Sequence, residues 1–553
     1  MDCTVSPLQK ARMAYAPKLP AAFKAGANVA CTEGEKLAAF ADTEKITAKF
    51  PSTSNMPLLT FAPGNGEKIA KPINVAVILS GGQAPGGHNV IAGLFDGLKS
   101  LNPESRLYGF KGGPSGLTDN KYIEITADFL AAYRNTGGFD MIGSGRTKLE
   151  TPEQFEKAEV NCKALGITAI VIIGGDDSNT NACLLAEYYK AKNAGIIVVG
   201  CPKTIDGDLK NAYIETSFGF DTASKVYSEL IGNIERAANS AKKYWHFIKL
   251  MGRSASHTAL ECGLKTHANV TLVSEEVEAK KMSTDEVVTI IADSVAKRAA
   301  NGDNFGVALI PEGLIEFIPD FKSLIAELND LLAKEGEAYA ALASNDEKAA
   351  SISSRLSTGS GAVFATLPME TKMQLTMDRD PHGNVQVSRI ETEKLLVELV
   401  KNKLAAWKKD GKYAGKFSAQ THFFGYEGRC SMPSNFDADY CYSLGYNAAS
   451  IISTGKTGYM SSVRNLTEPA DKWIAGAIPL TAMMNMERRH GEDKPVIKKA
   501  LVELDGAPFR ELAKNREKWA VETCYVYPGP IQFFGPAEVA DITTKTLALE
   551  KGK

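Results

Sequence analysis

The fold is decided by the stretch INVAVILSGGQAPGG, residues 73–87. Residues 73–79 form a short apolar run rich in β-branched side chains, which is typical of a fully buried parallel strand. The run ends in the glycine pair Gly81-Gly82, and a segment with helical character follows at residues 89–101. A strand, a glycine-rich turn and a helix N-terminus together outline a cradle for a phosphate group. A tight turn that binds nothing explains the same pattern.

The pattern of an apolar run before a glycine-rich turn recurs three times further along the chain. Residues 139–142 precede Gly143-Ser144-Gly145-Arg146, residues 169–173 precede Gly174-Gly175-Asp176-Asp177-Ser178, and residues 195–199 precede Gly200-Cys201-Pro202-Lys203. Helical candidates at 152–165 and 181–194 separate the later runs. Strands that alternate with helices predict an α/β fold with a parallel sheet, in which ligands bind beyond the carboxyl ends of the strands.

A second series of elements follows the first. A helical segment at 222–241 precedes a strand at 245–250, and further strands are predicted at 270–273 and 306–310. Residues 321–355 are rich in Ala, Glu, Lys and Leu, a composition that favours a helical insertion with one solvated face.

Composition excludes several classes of protein. The 553 residues carry 63 Lys and Arg against 65 Asp and Glu, a formal net charge of −2. This balance argues against a nucleic-acid partner recognised by bulk charge and against a polybasic membrane anchor. The apolar runs are far shorter than the ~18 residues of a membrane span. Nine cysteines without a C-x-x-C pair predict reduced thiols and a cytoplasmic location.

Two acidic motifs carry the chemistry. Asp176 and Asp177 follow a predicted strand. One explanation is N-capping of the next helix, which accounts for one of the two acids but poorly for both. The other is a Mg²⁺ site, because Mg²⁺ is usually held by one or two carboxylates plus phosphate oxygens. The loop Lys203-Thr204-Ile205-Asp206-Gly207-Asp208 places a cation near a carboxylate that could accept a proton from an alcohol, although Asp-Gly is also a common turn dipeptide. Phosphoryl transfer needs an anion cradle, a metal ligand, cations and a base. The candidates for these roles are Gly81 and Gly82, then Asp176, then Lys203, Arg146 and Arg253, and finally Asp206.

These motifs, taken as a set and in their order, resemble those of the phosphofructokinases, in particular the long-chain pyrophosphate-dependent form. The resemblance covers about residues 73–480 and also includes Met251-Gly252-Arg253, Pro311-Glu312-Gly313 and Gly425-Tyr426-Glu427-Gly428-Arg429. It implies two Rossmann-like three-layer α/β/α domains. Residues 1–72 would be an N-terminal extension, 73–217 with 433–500 a domain for pyrophosphate and Mg²⁺, 218–432 a domain for fructose 6-phosphate with the helical insertion, and 501–553 a C-terminal segment.

The resemblance also implies a reaction, the reversible transfer of a phosphoryl group from pyrophosphate to the 1-hydroxyl of fructose 6-phosphate with Mg²⁺ as cofactor. Asp206 would be the base, Lys203 and Arg253 further catalytic residues, Asp176 the metal ligand, and Gly81, Gly82 and Arg146 pyrophosphate contacts. Contacts to the sugar phosphate would come from Thr204, Ile205, Asp206, Met251, Gly252, Arg253, Glu312, Tyr426, Glu427, Gly428 and Arg429. Lys243 and Tyr244 lie where the family brings contacts across from a neighbouring subunit, which implies a homodimer or a higher homo-oligomer.

The phosphoryl donor is predicted from Asp177 and Lys203, because ATP-using relatives have glycine at both positions. A carboxylate at Asp177 would repel the α-phosphate of ATP, and Lys203 would stabilise charge that develops on pyrophosphate. Two alternatives stay open: an ATP-dependent 6-phosphofructokinase, and a regulatory subunit that binds sugar phosphate without catalysis.

Overall fold

The computed structural model describes residues 5, 7–376, 385, 389–489, 492–531 and 543–553. The strands are β1 Ala30–Lys36, β2 Pro57–Ala62, β3 Asn74–Ser80, β4 Arg106–Phe110, β5 Tyr122–Ile125, β6 Ser144–Gly145, β7 Ile167–Gly174, β8 Ile197–Thr204, β9 Phe218–Gly219, β10 Trp245–Leu250, β11 Val270–Thr271, β12 Gly306–Pro311, β13 Ala419–Phe424, β14 Tyr459–Arg464, β15 Ile474–Pro479, β16 Met484–Arg489 and β17 Glu492–Ile497. The α-helices are α1 Pro7–Met13, α2 Thr43–Lys49, α3 Gly87–Leu101, α4 Ser115–Asp119, α5 Ala127–Ala131, α6 Pro152–Ala164, α7 Asp176–Ala191, α8 Phe220–Ala241, α9 His257–Thr266, α10 Ser274–Ala279, α11 Thr284–Ala300, α12 Pro319–Ala340, α13 Asn345–Ser353, α14 Thr358–Thr366, α15 Met369–Leu375, α16 Thr392–Lys409, α17 Tyr426–Arg429, α18 Asn435–Ser453, α19 Ala507–Val521 and α20 Lys545–Glu550. None of the helices in these ranges is long and apolar enough to cross a membrane.

The chain divides into two compact units. The first comprises residues 1–226, 426–500 and 531–551, and the second comprises residues 227–425, 501–530 and 552–553. The boundaries predicted from the sequence rest on a family resemblance and stay a prediction, and residues 532–542 of the predicted C-terminal segment lie outside the described residues.

The first unit is built on a large sheet with the strand order β1-β2-β15-β14-β8-β7-β3-β4-β5, in which β6 also pairs with β3 and β9 with β8. The centre of the sheet is parallel, with Val77 opposite Val171 and Val171 opposite Val199. All three valines are fully buried. A parallel strand covered by helices on both faces reads as a continuous apolar run, which is the reason that the sequence reveals β3, β7 and β8 so clearly.

The second unit contains a four-stranded parallel sheet with the order β11-β12-β10-β13. Its core joins strand residues such as Trp245 and Ile310 to helix residues such as Ile291 and Leu396. Helices α12 and α13 occupy the region for which the sequence predicts a helical insertion. The predicted α/β class is therefore confirmed in both units.

The strand predicted at residues 139–142 is wrong. This segment is a turn in which the Gly143 amide donates to the Phe139 carbonyl at 2.7 Å, and the short strand β6 begins only at Ser144. Phe139, Met141 and Ile142 are nevertheless buried. The apolar character of these side chains therefore indicates that they are buried. A short apolar run without clear periodicity does not show whether the buried segment is a strand or a turn.

His88, in the first turn of α3, is buried as a neutral imidazole. Its side chain is fully inaccessible, Nδ1 lies 2.8 Å from the Thr136 hydroxyl, and Nε2 accepts a hydrogen bond from the Met141 amide at 3.3 Å. Burial lowers the pKa of His88 from 6.5 to about 4, against the opposing attraction of Asp140. The turn at residues 139–142 is thus tied to the helix after the first glycine-rich loop.

We predict that His88 makes stability depend on pH. Because the folded-state pKa lies below the unfolded value, the stability from neutral His88 is complete above pH 6.5 and is lost as the pH falls through about 4. The loss approaches about 3 kcal/mol over this window. Thermal unfolding at pH 7.5 and pH 5 should show a smaller fall in Tm for His88→Gln than for the parent chain. Equal falls in both proteins would contradict the assignment.

Candidate active site

The carboxyl ends of four parallel strands meet at one edge of the large sheet. Leu79 of β3 lies opposite Ile173 of β7, Gly174 lies opposite Pro202 of β8, and β6 pairs with the end of β3. The residues that leave this edge are Gly81, Gly82, Arg146, Asp176, Asp177, Lys203, Thr204, Ile205 and Asp206. We refer to this group as the carboxyl edge. The register of the strands alone brings these positions together.

Asp176 and Asp177 form the first turn of α7. The N-cap is Gly175, and no side chain caps the helix, so the capping explanation for one of the two acids is wrong. Both carboxylates are instead placed where the positive end of the helix dipole stabilises negative charge. The turn before them is held by the Asn179 amide group, which donates to the Gly174 carbonyl at 2.6 Å and to the Gly175 carbonyl at 2.9 Å.

Lys203 is a buried cation beside the first glycine-rich loop. It is only 6% exposed, and a Cβ atom at Gly81 would lie 3.3 Å from its Nζ. Gly81 has a φ of +84°, a conformation that glycine adopts at little cost. Burial, reinforced by repulsion from Arg429, lowers the pKa of Lys203 to about 8, against the attraction of Asp206 and Asp176. A bound anion would compensate for both the burial and the repulsion, because it would attract the two cations.

Arg429 lines the same loop from a distant part of the chain. A Cβ atom at Gly82 would lie 3.0 Å from Nη1 and 3.2 Å from Cζ of this guanidinium. The Nε atom of Arg429 is buried and has no hydrogen-bond partner among the described residues. The glycine loop therefore faces two cations, Lys203 and Arg429, and has room for ligand atoms only because Gly82 has no side chain. The other residues of α17 contribute differently, since Tyr426 and Glu427 are exposed and Gly428 is buried.

The loop after β8 carries two carboxylates in different environments. Asp206 is partly exposed, and its amide donates to the Thr204 hydroxyl at 3.1 Å, while Ile205 is buried. Asp208 is buried, and burial together with repulsion from Asp206 and Asp176 raises its pKa to about 7. Asp206 is therefore the accessible carboxylate of the pair and the better placed to accept a proton from a ligand.

Two lysines that the sequence analysis missed complete the charges at this edge. Lys148 Nζ lies 3.3 Å from Asp177 Oδ1, and Lys499 Nζ lies 3.5 Å from Asp176 Oδ2. Lys148 is two residues beyond Arg146 and could have been found by listing every cation after a predicted strand end. Lys499 has no local signal, because it reaches the site from a segment more than three hundred residues away in the sequence.

The carboxyl edge offers single carboxylates to a metal and no ready-made cage. Within the described ranges, no group of three or more His, Cys, Asp or Glu residues is arranged to hold an ion. Mg²⁺ usually keeps several waters and takes one or two protein carboxylates plus phosphate oxygens. The partly exposed carboxylate of Asp176 at a helix N-terminus fits such a phosphate-bridged ion.

In the second unit, a separate group of predicted site residues also lies where parallel strands end together. Leu250 of β10 lies opposite both Pro311 of β12 and Phe424 of β13, so that these three strands also end together. Beyond the strand ends, the Met251 amide donates to the Phe424 carbonyl at 3.0 Å and the Gly252 amide to Glu312 Oε2 at 3.1 Å. Glu312 is buried, whereas Arg253 is exposed and available to a ligand.

Lys243 and Tyr244 do not join the group of predicted site residues in the second unit. They precede β10, and Lys243 Nζ lies 5.2 Å from the centre of the Tyr244 ring. Met251, Gly252 and Arg253 leave the other end of the same six-residue strand, a distance of about 20 Å at 3.3 Å per residue. The two sets of residues therefore lie at opposite ends of β10.

The family model described as Phosphofructokinase matches residues 74–452. The chain belongs to the phosphofructokinase family. It is 59% identical over 546 residues to the pyrophosphate–fructose 6-phosphate 1-phosphotransferase of Porphyromonas gingivalis, covering 99% of each chain. Identity is 53% to the Treponema pallidum protein of that name, over 99% of this chain and 97% of the relative, and 51% to the potato subunit beta, over 99% and 94%.

Solved phosphofructokinases share the fold. The pyrophosphate-dependent phosphofructokinase of Marinobacter aquaeolei superimposes with a TM-score of 0.53 at 15% identity, over 86% of this chain and 97% of that chain. The corresponding protein of Nitrosospira multiformis gives a TM-score of 0.54, also at 15% identity and with the same coverage. At this identity the likeness concerns the fold alone, and it confirms the phosphofructokinase fold expected from the motifs.

We predict that Gly82→Ala weakens anion binding at the carboxyl edge. The new methyl group would displace the Arg429 guanidinium, and loss of one hydrogen bond to a charged group costs about tenfold in affinity or more. Isothermal titration with inorganic phosphate measures the effect. Gly359→Ala, in α14 with no atom within 4 Å of the added Cβ, is the control and should bind as the parent chain does. An unchanged Kd for Gly82→Ala would contradict the placement of the anion.

Proposed function

We propose that this phosphofructokinase transfers a phosphoryl group reversibly between pyrophosphate and the 1-hydroxyl of fructose 6-phosphate, a step of glycolysis and of gluconeogenesis. The two bacterial relatives named for this reaction are more than half identical to the chain over almost its whole length. The observation that carries the proposal is that Asp177, in the first turn of the helix after β7, and Lys203, at the end of the neighbouring strand β8, both lie at the carboxyl edge. In ATP-using members of the family, glycine would stand at both positions.

Pyrophosphate suits the charges at the carboxyl edge better than ATP does. The carboxylate of Asp177 is exposed and would repel the α-phosphate of ATP, because like charges close together oppose each other. Lys148 holds this carboxylate through its 3.3 Å ion pair and so fixes its position. Lys203, Arg429 and Arg146 supply the positive charge for a compact polyanion at Gly81 and Gly82.

The transfer itself needs positioning and a proton acceptor. The 1-oxygen of the sugar attacks the terminal phosphorus of pyrophosphate while the bridging P–O bond breaks, and inorganic phosphate leaves with the bonding electrons. Asp206 accepts the hydroxyl proton and returns it in the reverse direction. Lys203 and Arg253 stabilise charge on the phosphoryl group in transfer, an interaction that accelerates the step only as far as it strengthens in the transition state.

Pyrophosphate would be bound together with Mg²⁺. Asp176 would hold the ion through one carboxylate, and the ion, when bound, neutralises pyrophosphate charge and orients its oxygens. Among the chain's own residues, Gly82 would offer its backbone amide to the anion, whereas the Gly81 amide donates to the Gly145 carbonyl at 2.9 Å and so shapes the loop. The Lys203 ammonium group lies beside Gly81.

A second set of residues would bind the sugar phosphate. Met251, Gly252 and Arg253 present a backbone turn and one exposed cation. The buried Glu312, which accepts a hydrogen bond from the Gly252 amide, would contact hydroxyl groups of the sugar. Further contacts are assigned to Thr204, Ile205, Tyr426, Glu427, Gly428 and Arg429. Lys243 and Tyr244 are assigned to a neighbouring copy, so the active protein would be a homodimer or a larger homo-oligomer.

A cytoplasmic location belongs to the same proposal. The eight cysteines in the described part of the chain are all free thiols, which fits a reducing compartment. Sedimentation velocity on the purified protein tests the assembly, and a monomer with full activity would remove the roles of Lys243 and Tyr244.

We predict that the purified protein uses pyrophosphate and not ATP as donor. A coupled assay for fructose 1,6-bisphosphate with each donor at the same concentration measures the preference. In the double variant Asp177→Gly/Lys203→Gly, kcat/KM with pyrophosphate should fall by about a hundredfold or more, because a cation that stabilises transferring charge is lost. Asp471→Gly, at an exposed position of the first unit, serves as control. Faster turnover with ATP than with pyrophosphate in the parent chain would overturn the donor assignment.

We predict that Asp206→Ser removes turnover and leaves binding of fructose 6-phosphate nearly unchanged. Serine keeps a polar side chain in the loop but is a far weaker proton acceptor, so kcat should fall by about a thousandfold. The Kd for fructose 6-phosphate, measured by titration calorimetry, reports whether the site is intact. If Asp206→Ser kept the turnover of the parent chain, Asp206 would be excluded as the base and another group would have to accept the proton.

A further inference from the structure

The segment that follows β17 runs along the carboxyl edge and is pinned on both sides. The Ile497 amide donates to the Thr180 hydroxyl in α7 at 3.0 Å, and the Lys498 amide donates to the Met483 carbonyl at 2.9 Å. Two residues later, the Ala500 amide donates to the Asp208 carbonyl at 2.7 Å. The backbone on either side of Lys499 is therefore attached both to the helix that carries Asp176 and to the loop that carries Asp206.

The side chain of Lys499 lies among the acids of this edge. Its Nζ is 3.5 Å from Asp176 Oδ2, and the side chain is 30% exposed. Burial lowers its pKa, but the attraction of Asp176, Asp208, Asp177 and Asp206 outweighs burial and raises the pKa above the usual value. Lys499 thus carries a full positive charge in the ligand-free protein, at the carboxylate that would hold the metal.

We propose that Lys499 is a positioning residue of the donor site, a cation that holds the Asp176 carboxylate and balances the neighbouring acids in competition with the divalent ion. Four carboxylates close together repel one another, and their repulsion would distort the loop and the helix end in the absence of a counter-charge. The ion pair of Lys499 with Asp176 supplies that charge from a segment beyond the region that the family model matches.

The role leads to an unusual combination of effects. Removal of the Lys499 charge should strengthen the binding of a divalent ion alone, because the ion no longer displaces an ammonium group from Asp176. The same change should weaken catalysis, because Asp176 and the Asp206 loop lose a support that fixes their geometry. A residue with a merely structural role would weaken both.

Titration of the whole, substrate-free protein with Mn²⁺, followed by electron paramagnetic resonance of the free ion, tests the first effect. We expect Lys499→Met to bind Mn²⁺ about fivefold more tightly than the parent chain, the scale of one partly exposed ion pair. The adjacent Lys498→Met changes an exposed lysine with the same loss of net charge and should leave the Kd unchanged. Lys499→Arg keeps the charge and should also bind as the parent chain does. A Kd for Lys499→Met that is equal to or weaker than that of Lys498→Met would overturn the proposal.

Kinetics test the second effect. With pyrophosphate and fructose 6-phosphate, kcat of Lys499→Met should fall about tenfold or more, as expected when a reacting group is displaced by a fraction of an ångström. Lys499→Arg should recover most of the loss. If Lys499→Met does not fold, Lys499→Gln replaces it, because glutamine removes the charge and keeps a polar side chain at this partly exposed position. Full kcat in either neutral variant would overturn the positioning role.

The role in a pyrophosphate site rests on the proposed function, but the Mn²⁺ titration contains no substrate and does not depend on it. If the parent chain fails to use pyrophosphate while the Mn²⁺ result holds, the proposed function is wrong and the Lys499–Asp176 competition stands. If the parent chain uses pyrophosphate and the Mn²⁺ affinity of Lys499→Met is unchanged, the proposal for Lys499 is wrong and the proposed function stands.

Discussion

The parallel pairing of β3, β7 and β8 determines where the glycine loop, Asp176 and Lys203 of the donor site lie. Each strand is continuous, apolar and buried, so a slip of one residue would turn core side chains towards the wrong face of the sheet. The register is therefore strongly specified, and the positions just beyond the strand ends are specified with it. Gly81, Asp176 and Lys203 are neighbours for this reason, although more than a hundred residues separate the first from the last.

Charge is the second constraint on this edge. Lys203 is buried next to Arg429, which is unfavourable in the absence of a ligand and appears as the lowered pKa of the lysine. Asp208 shows the opposite effect, a raised pKa in a buried position beside other acids. The edge therefore holds a cationic part at Lys203 and Arg429 and an acidic part at Asp206 and Asp208, an arrangement that suits a ligand with both signs, such as a metal complex of a phosphate polyanion.

The second unit repeats the same solution with a smaller sheet. β10, β12 and β13 end at the same level, and the Gly252 amide ties the turn after β10 to the Glu312 carboxylate after β12. Lys243 and Tyr244 lie at the opposite end of β10, so the register that gathers one set of residues also keeps this pair away from it. Within the second unit, Lys243 and Tyr244 are thus separated from Met251, Gly252 and Arg253 by the whole length of β10.

The sequence by itself determined the α/β class, the strands β3, β7, β8, β10 and β12, and the motifs at their ends, because an apolar run before a glycine-rich turn is a local pattern. The same reasoning failed at residues 139–142, where buried apolar side chains form a turn. It also had no access to Lys499, which approaches Asp176 from the end of β17. Only the tertiary structure decided which distant cations meet which carboxylates, since those meetings depend on strand register and on long-range packing. Lys148 beside Asp177, Arg429 beside Gly82 and the neutral state of His88 are all of this kind.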